Sequence, residues 1–288
     1  MVSDGDRVTD RPLAEVGGKG LFTKVVDEAV LGGHCDIAVH SLKDVPAELP
    51  KGLQLIATPP REDVRDVLIT RHDVATLTEL PPHSVLGTSS PRRAAQVRAL
   101  LPGVRVELLR GNVPTRIERV MDPAGSFDAT LLAAAGLNRL GLSERHGCAV
   151  PADAVLPAVA QGALGIVARA SDAWTLRCCL RLNHAPTNMA VTAERELVHR
   201  LEADCHSPIA VLVESTPPPA GVATQRSSNR YWTRLRARVC RPDGTHTLAF
   251  DGRCKAAQLR RLVKDAVADL ERQGARDVLR EASAASLT

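Results

Sequence analysis

Aromatic side chains are nearly absent: two Trp, one Tyr and three Phe in 288 residues. Any core must therefore be mostly aliphatic. A basic surface interleaved with aromatics, of the kind that binds nucleic acid, is disfavoured too. No apolar run is long enough to cross a membrane. The opening residues, Met1-Val-Ser-Asp-Gly-Asp-Arg7, are polar and show no signal-peptide pattern. Seven cysteines (Cys35, Cys148, Cys178, Cys179, Cys205, Cys240 and Cys254) are present, an odd number, with no C-x-x-C or Cys/His ligand spacing. Neither disulfides nor a zinc site is expected, and a reducing cytoplasm is the default compartment. The glycine-rich turn Val16-Gly-Gly-Lys19-Gly20 lacks the Walker pattern, although it could cradle an anion ahead of a helix.

What is present points to a globular α/β chain. Hydrophobic residues make up 44% and charged residues 24%, and the length suits two or three domains rather than one core. Helical spacing runs from Leu21 to Leu31. Asp36–His40 reads as a short buried strand, and Asp66–Thr70 as another. Ser84–Gly87 is a strand entering the Thr88-Ser89-Ser90 turn, and a helix follows over Pro91–Leu101 with Pro at a first position. Val104–Leu109 predicts a strand, Pro114–Met121 a helix and Phe127–Ala135 a buried run. This alternation implies a parallel or mixed sheet with helices on its faces. The last hundred residues differ. A helix over Val191–Leu201 and a strand over Pro208–Glu214 precede a Pro/Gly/Ser-rich loop at Thr216–Asn229. A hairpin then turns at Pro242-Asp-Gly244, between Tyr231–Arg241 and Thr245–Arg253, and an amphipathic helix covers Ala256–Gln273.

The net charge is +4, and the basic residues lie in Gly/Ser/Thr/Pro loops. A small, multiply anionic ligand fits that distribution. Lys43-Asp44 follows the first buried strand, where ligands bind in open α/β sheets. An exposed Lys-Asp neighbour pair is usually only a surface ion pair; here His40, Ser41 and Pro46 make the turn rigid and polar. Arg92-Arg93 stand at a helix start, where cations oppose the helix dipole. A bound anion among free N–H groups, Ser90 and guanidinium groups would explain them. Arg110 and Arg116 bracket a similar strand-to-helix turn. Cys205 sits in a polar loop between Asp204 and His206, where a thiolate could be exposed and reactive. Neighbours in sequence rarely form a Cys-His dyad, and no oxyanion motif accompanies this one.

Seven segments, in order, resemble the hydroxymethylbilane synthase (porphobilinogen deaminase) family of tetrapyrrole biosynthesis: VGGKGLF at 16–22, DIAVHSLKDVP at 36–46, GTSSPRR at 87–93, LLRGNVPTR at 108–116, AAGLNRLGL at 134–142, LPAVAQGALGI at 156–166 and LEADCHSPIA at 201–210. The resemblance covers nearly the whole chain. It implies an α/β fold with two lobes like type II periplasmic binding proteins, built on mixed sheets, and a small C-terminal α+β domain. The expected division is 1–61 with 161–182, then 62–160, then 183–288. The family's dipyrromethane cofactor would be attached through a thioether to Cys205. Four porphobilinogen units would add one at a time, each losing ammonia, before hydrolysis releases the linear tetrapyrrole. Asp44 matches the catalytic aspartate. Lys43, Ser90, Arg92, Arg93, Arg110 and Arg116 match positions that hold the cofactor, and Lys19 and Arg139 match substrate-binding positions. A cytoplasmic, monomeric transferase acting on porphobilinogen, with no nucleic-acid or membrane partner, is implied.

The sequence departs from the family in three places. The usual opening strand, helix and strand are missing, so an upstream start or an incomplete first domain is expected. Glu15 stands where many members have Lys. Ala203-Asp204 precede the cysteine where glycine is common, and an acidic neighbour would raise the thiol pKa. The chief alternative is a non-catalytic, two-lobed binder of anionic ligands, inactive for want of that N-terminus. An unrelated cysteine-nucleophile enzyme would leave the arginines unexplained.

Overall fold

The computed structural model describes residues 23–46, 48–142, 147–204, 207–217 and 232–285. Among them the strands are β1 (Ile37–Ser41), β2 (Leu53–Ala57), β3 (Asp66–Thr70), β4 (Val85–Gly87), β5 (Arg105–Glu107) and β6 (Ala129–Ala133), followed by β7 (Cys148–Val150), β8 (Leu164–Arg169), β9 (Ile209–Thr216), β10 (Trp232–Cys240) and β11 (Thr247–Lys255). The helices are α1 (Lys24–Leu31), α2 (Pro91–Leu100), α3 (Val113–Met121), α4 (Ala134–Arg139), α5 (Ala173–Leu180), α6 (Ala185–Arg200), α7 (Leu259–Arg272) and α8 (Ala275–Ala285).

Three sheets result. The first has the order β1-β8-β2, with antiparallel pairs among the described residues. The second, β5-β4-β6-β3-β7, is mixed: β4 is parallel to β5 and β6, while β3 is antiparallel to β6 and β7. The third is the antiparallel meander β9-β10-β11, closed by the expected hairpin. The expected mixed α/β class is therefore observed. One strand differs from its reading. Ala38 and His40 are buried, but Ile37 and Val39 are 38% and 55% exposed. Thus, among the described residues, β1 is a half-exposed edge strand rather than a strand buried on both faces.

Caps explain where the helices near the site start. Ser90 accepts the Arg93 N–H and Asn112 that of Thr115, each with a Pro in the first helical turn. Between the first two sheets the chain crosses twice, over 58–65 and 151–163. The crossovers touch where the Glu62 N–H donates to the Gly162 carbonyl at 2.9 Å. Gly162 has φ +82, and a Cβ there would lie 2.6 Å from the Glu62 oxygen, so only glycine fits. The crossovers also lean on the third sheet, with Leu156 packed against Ala210 and Leu212.

Helix α6 ends in paired bonds, Ala203 N–H to the Val198 carbonyl and Glu202 N–H to that of His199. This is a Schellman turn, and Glu202 holds its left-handed position at φ +57. An L side chain there costs about 1 kcal/mol relative to glycine. The exposed Glu202–Arg276 ion pair at 3.0 Å offsets little of this. Glu202→Gly is expected to raise the thermal unfolding midpoint by about 1–3 °C; a lowered midpoint in calorimetry would contradict the strain argument.

Candidate active site

Lys43 and Asp44 occupy a 3₁₀ turn, Leu42–Asp44, directly after β1. Leu42 is 1% exposed and its N–H donates to the Ala163 carbonyl, so the turn is pinned from below. Its two charged side chains are half-buried. Burial pushes the Asp44 carboxyl up, against the opposing pull of the Lys43 charge, a hydrogen bond from Ser41 and the Arg93 charge. Burial likewise pushes the Lys43 amine down, opposed by Asp44. Lys43 and Asp44 from the first sheet and Arg93 from the second thus act on one another.

Beneath them lies Asp66, the first residue of β3, with no exposure. Arg92 Nη2 donates to its Oδ2 at 2.8 Å, and Arg93 Nη2 to its Oδ1 at 2.7 Å. Gln161 Nε2, from the second crossover, adds a bond to Oδ1 at 2.9 Å. Burial alone would push this carboxyl up, but the two guanidinium charges outweigh it and hold it well below the usual carboxylate range.

The two arginines differ in what they leave open. Arg92 gives its other terminal nitrogen to the Leu156 carbonyl at 2.7 Å. Both terminal nitrogens of Arg92 are thus engaged within the protein. Arg93 stands beside Asp44 on one side and Arg116 on the other. Arg116 reaches the Gly111 carbonyl through Nε at 2.7 Å and Ser89 Oγ through Nη2 at 3.2 Å. Burial pushes the Arg116 guanidinium down to about 10, and the like charges of Arg93 and Arg110 push the same way. Among the described residues, buried nitrogens of three arginines, Arg92 Nε, Arg93 Nε and Arg110 Nη1, have no hydrogen-bond partner.

The structure therefore brings together Lys43, Asp44, Arg92, Arg93, Arg110 and Arg116, with Ser90 engaged as the cap beneath Arg93. Arg139 is exposed in the last turn of α4. Lys19 and Cys205 lie outside the described residues, as do Glu15 and the opening segment. The loop around Cys205 is bracketed by described neighbours: Ser207 Oγ donates to the Asp204 carboxylate at 2.9 Å and accepts the Asp204 N–H at 3.1 Å. Sequence reasoning missed Asp66 and Gln161. A carboxylate opening the apolar run Asp66–Thr70 was the available signal, since acids are rarely buried without a partner. Among the described residues no His/Cys/Asp/Glu cluster is arranged to hold a metal ion.

What this arrangement can do is bind carboxylates. Planar guanidinium groups match them in bidentate geometry, and one half-buried acid stands at the edge of the cationic wall.

Residues 1–177, more than half of the chain, match the family described as porphobilinogen deaminase, dipyromethane cofactor binding domain. Similar solved structures include a YaeC-family lipoprotein from Enterococcus faecalis (14% identity over 55% of this chain and 74% of that one, TM-score 0.36). A prephenate dehydratase from Arthrobacter aurescens is 15% identical over 86% and 75%, with TM-score 0.31. A TRAP periplasmic solute binding protein from Desulfovibrio salexigens is 15% identical over 96% and 87%, with TM-score 0.33. Overlaps this loose carry nothing about chemistry.

Asp66→Asn would leave two buried guanidinium groups without their counter-charge. A loss of about 3–5 kcal/mol in denaturant unfolding at neutral pH is expected. A carboxyl with a depressed folded pKa contributes stability present above its unfolded value of about 3.9 and lost as pH falls through the folded value. The gap between wild type and Asp66→Asn should therefore shrink below about pH 4. A gap that stays constant down to pH 2 would contradict the assignment.

Proposed function

Because this chain belongs to the porphobilinogen deaminase family, we propose that it is a hydroxymethylbilane synthase. In this reading it is a transferase of tetrapyrrole (haem-type) biosynthesis, acting in the cytoplasm as a monomer. It condenses four porphobilinogen molecules stepwise onto a dipyrromethane primer held by Cys205, with loss of ammonia, and hydrolyses off the linear tetrapyrrole. The three-domain division given above is part of the reading.

One observation carries it: Arg93, Arg110 and Arg116 crowd together although like charges repel, and among the described residues buried nitrogens on Arg93 and Arg110 are left without acceptors. Leaving buried polar groups unpaired is costly. Ligand carboxylates would remove that cost, and every pyrrole of the primer and its extensions bears an acetate and a propionate. The donor set thus fits the group. When bound, the dipyrromethane supplies the growing end of the chain. Arg93, Arg110 and Arg116 bind carboxylates, and Lys43 adds charge beside them. Arg92 and Ser90 keep Arg93 in place in addition to their expected cofactor role. Lys19 and Arg139 remain substrate-binding positions on the family resemblance alone.

Asp44 is the group for proton work. Its carboxylate oxygens accept a pyrrole N–H and stabilise positive charge on that ring as bonds change. Burial keeps its proton on to a higher pH than usual, which suits a group that must hold a proton and pass it on.

The reading is tested first by intact mass. The wild-type chain should carry a two-pyrrole adduct that is absent from Cys205→Ala. A bare mass for the folded wild type, together with no turnover, would favour the non-catalytic binder. Second, Asp44→Asn should keep the adduct but lose at least about 100-fold in kcat. In the wild type kcat should fall as pH drops through the raised Asp44 pKa, giving an acid limb above the ordinary value of about 3.9. Near-normal turnover in Asp44→Asn would remove Asp44 from its role.

A further inference from the structure

Helix α6 belongs to the third sheet's layer, yet two adjacent residues in its middle grip the other sheets. Glu194 is fully buried. It accepts from Arg61 Nη1 and Nη2 at 2.7 and 3.1 Å, from the Ala160 N–H at 2.7 Å and from the Val213 N–H at 2.8 Å. Arg61 and Ala160 lie one on each crossover. Four bonds thus fix the rotation and height of this helical turn. The next residue, Arg195, points about 100° away around the helix. Its Nη1 donates to the Val45 carbonyl at 2.9 Å and its Nη2 to the Pro46 carbonyl at 2.5 Å.

Those carbonyls belong to the chain leaving the Lys43-Asp44 turn. On its upstream side the turn hangs from the Leu42–Ala163 bond and the buried Leu42 side chain. Downstream, Pro46 has no N–H with which to anchor the backbone. A forked guanidinium on two successive carbonyls holds that end. The same helix ends in the turn that leads to Asp204 and the Cys205 loop.

We propose that Arg195 is a positioning residue: it sets the place of the Asp44 carboxylate from outside the site. This rests on the assignment of Asp44 given above. Arg195 itself touches no substrate.

The test compares wild type, Arg195→Met and Arg195→Lys as purified full chains with their adduct. Hydrogen exchange is followed over 42–46, with 66–70 as the internal control. Arg195→Met should keep the adduct mass and exchange the 42–46 amides at least about tenfold faster, with 66–70 unchanged. Its kcat should fall about tenfold or more, since small misplacements of a reacting group are that costly. KM should stay within about threefold, because no binding contact is lost. Arg195→Lys, with its charge but a single donor nitrogen in place of the fork, should recover part of both effects. Combined with Asp44→Asn, Arg195→Met should add no further loss.

The proposal is overturned by unchanged exchange over 42–46, by a kcat within twofold of wild type, or by a raised KM at constant kcat. If Arg195→Met does not fold, Arg195→Lys decides by the same criteria: slower turnover with faster exchange supports the proposal, and wild-type behaviour in both overturns it. A wild type that makes no tetrapyrrole would sink the functional reading instead, and the exchange comparison would still decide whether Arg195 holds the turn.

Discussion

Asp66 is a carboxylate shut away from water under two guanidinium groups, and the candidate site is arranged around it. Its partners come from separate parts of the chain: Arg92 and Arg93 from the start of α2, and Gln161 from a crossover. Because Arg92 is also tied to the Leu156 carbonyl, the first turn of α2 cannot rotate without breaking buried charged bonds. That fixed turn is what leaves Arg93 beside both Asp44 and Arg116. A surface pair would set nothing of the kind, since exposed ion pairs are screened and weak; burial turns this one into a constraint.

The same burial explains why the site holds more cation than anion. Arg93, Arg110 and Arg116 press on one another while Asp66 neutralises from behind only. Such an arrangement costs folding stability, and active sites commonly carry costs of this kind. On the proposed reading, a ligand rich in carboxylates would relieve it on binding, so the crowding that weakens the free protein would become affinity. Asp44 fits the same electrostatics: a neighbour of Lys43 and Arg93, it still has its carboxyl pushed up, because burial outweighs their charges.

Much of this was legible in the sequence, and the rest was hidden for identifiable reasons. Asp66–Thr70 is a strand at its expected bounds, and α2 and α3 begin within a residue of theirs, because Pro, Ser90 and Asn112 are local signals. The turns bearing Lys43-Asp44, Arg92-Arg93 and Arg110 could be found because strand-to-helix junctions announce themselves with Gly, Ser and Pro. Their mutual distances could not. Nothing local marked the roles of Asp66 and Glu194, since the groups they bind lie 19 to 133 residues away in the chain. Whether β1 is central or at an edge depends on its neighbours, so the exposure of Ile37 and Val39 left no trace in the local pattern. Helices α4, α5 and α8 and strands β2, β7 and β8 were missed as separate elements, although Asp172 caps the start of α5 and was an available signal.

Two buried carboxylates, not one, govern how the sheets meet. Asp66 holds the second crossover through Gln161, and Glu194 holds both crossovers through Arg61 and Ala160. Apolar packing is non-directional and tolerates sliding, whereas a bidentate guanidinium–carboxylate pair has essentially one low-energy geometry. A buried pair of this sort adds little net stability over a well-packed apolar substitute, so its use here points to geometry. The geometry at stake is concrete. Asp44 comes from the first sheet and the arginines from the second, while the helix that grips the Asp44 turn belongs to the third. An error of one ångström where the crossovers meet would separate acid from arginines. Placing ionic hubs at that junction lets the site keep its crowded arginines while the frame beneath them stays fixed.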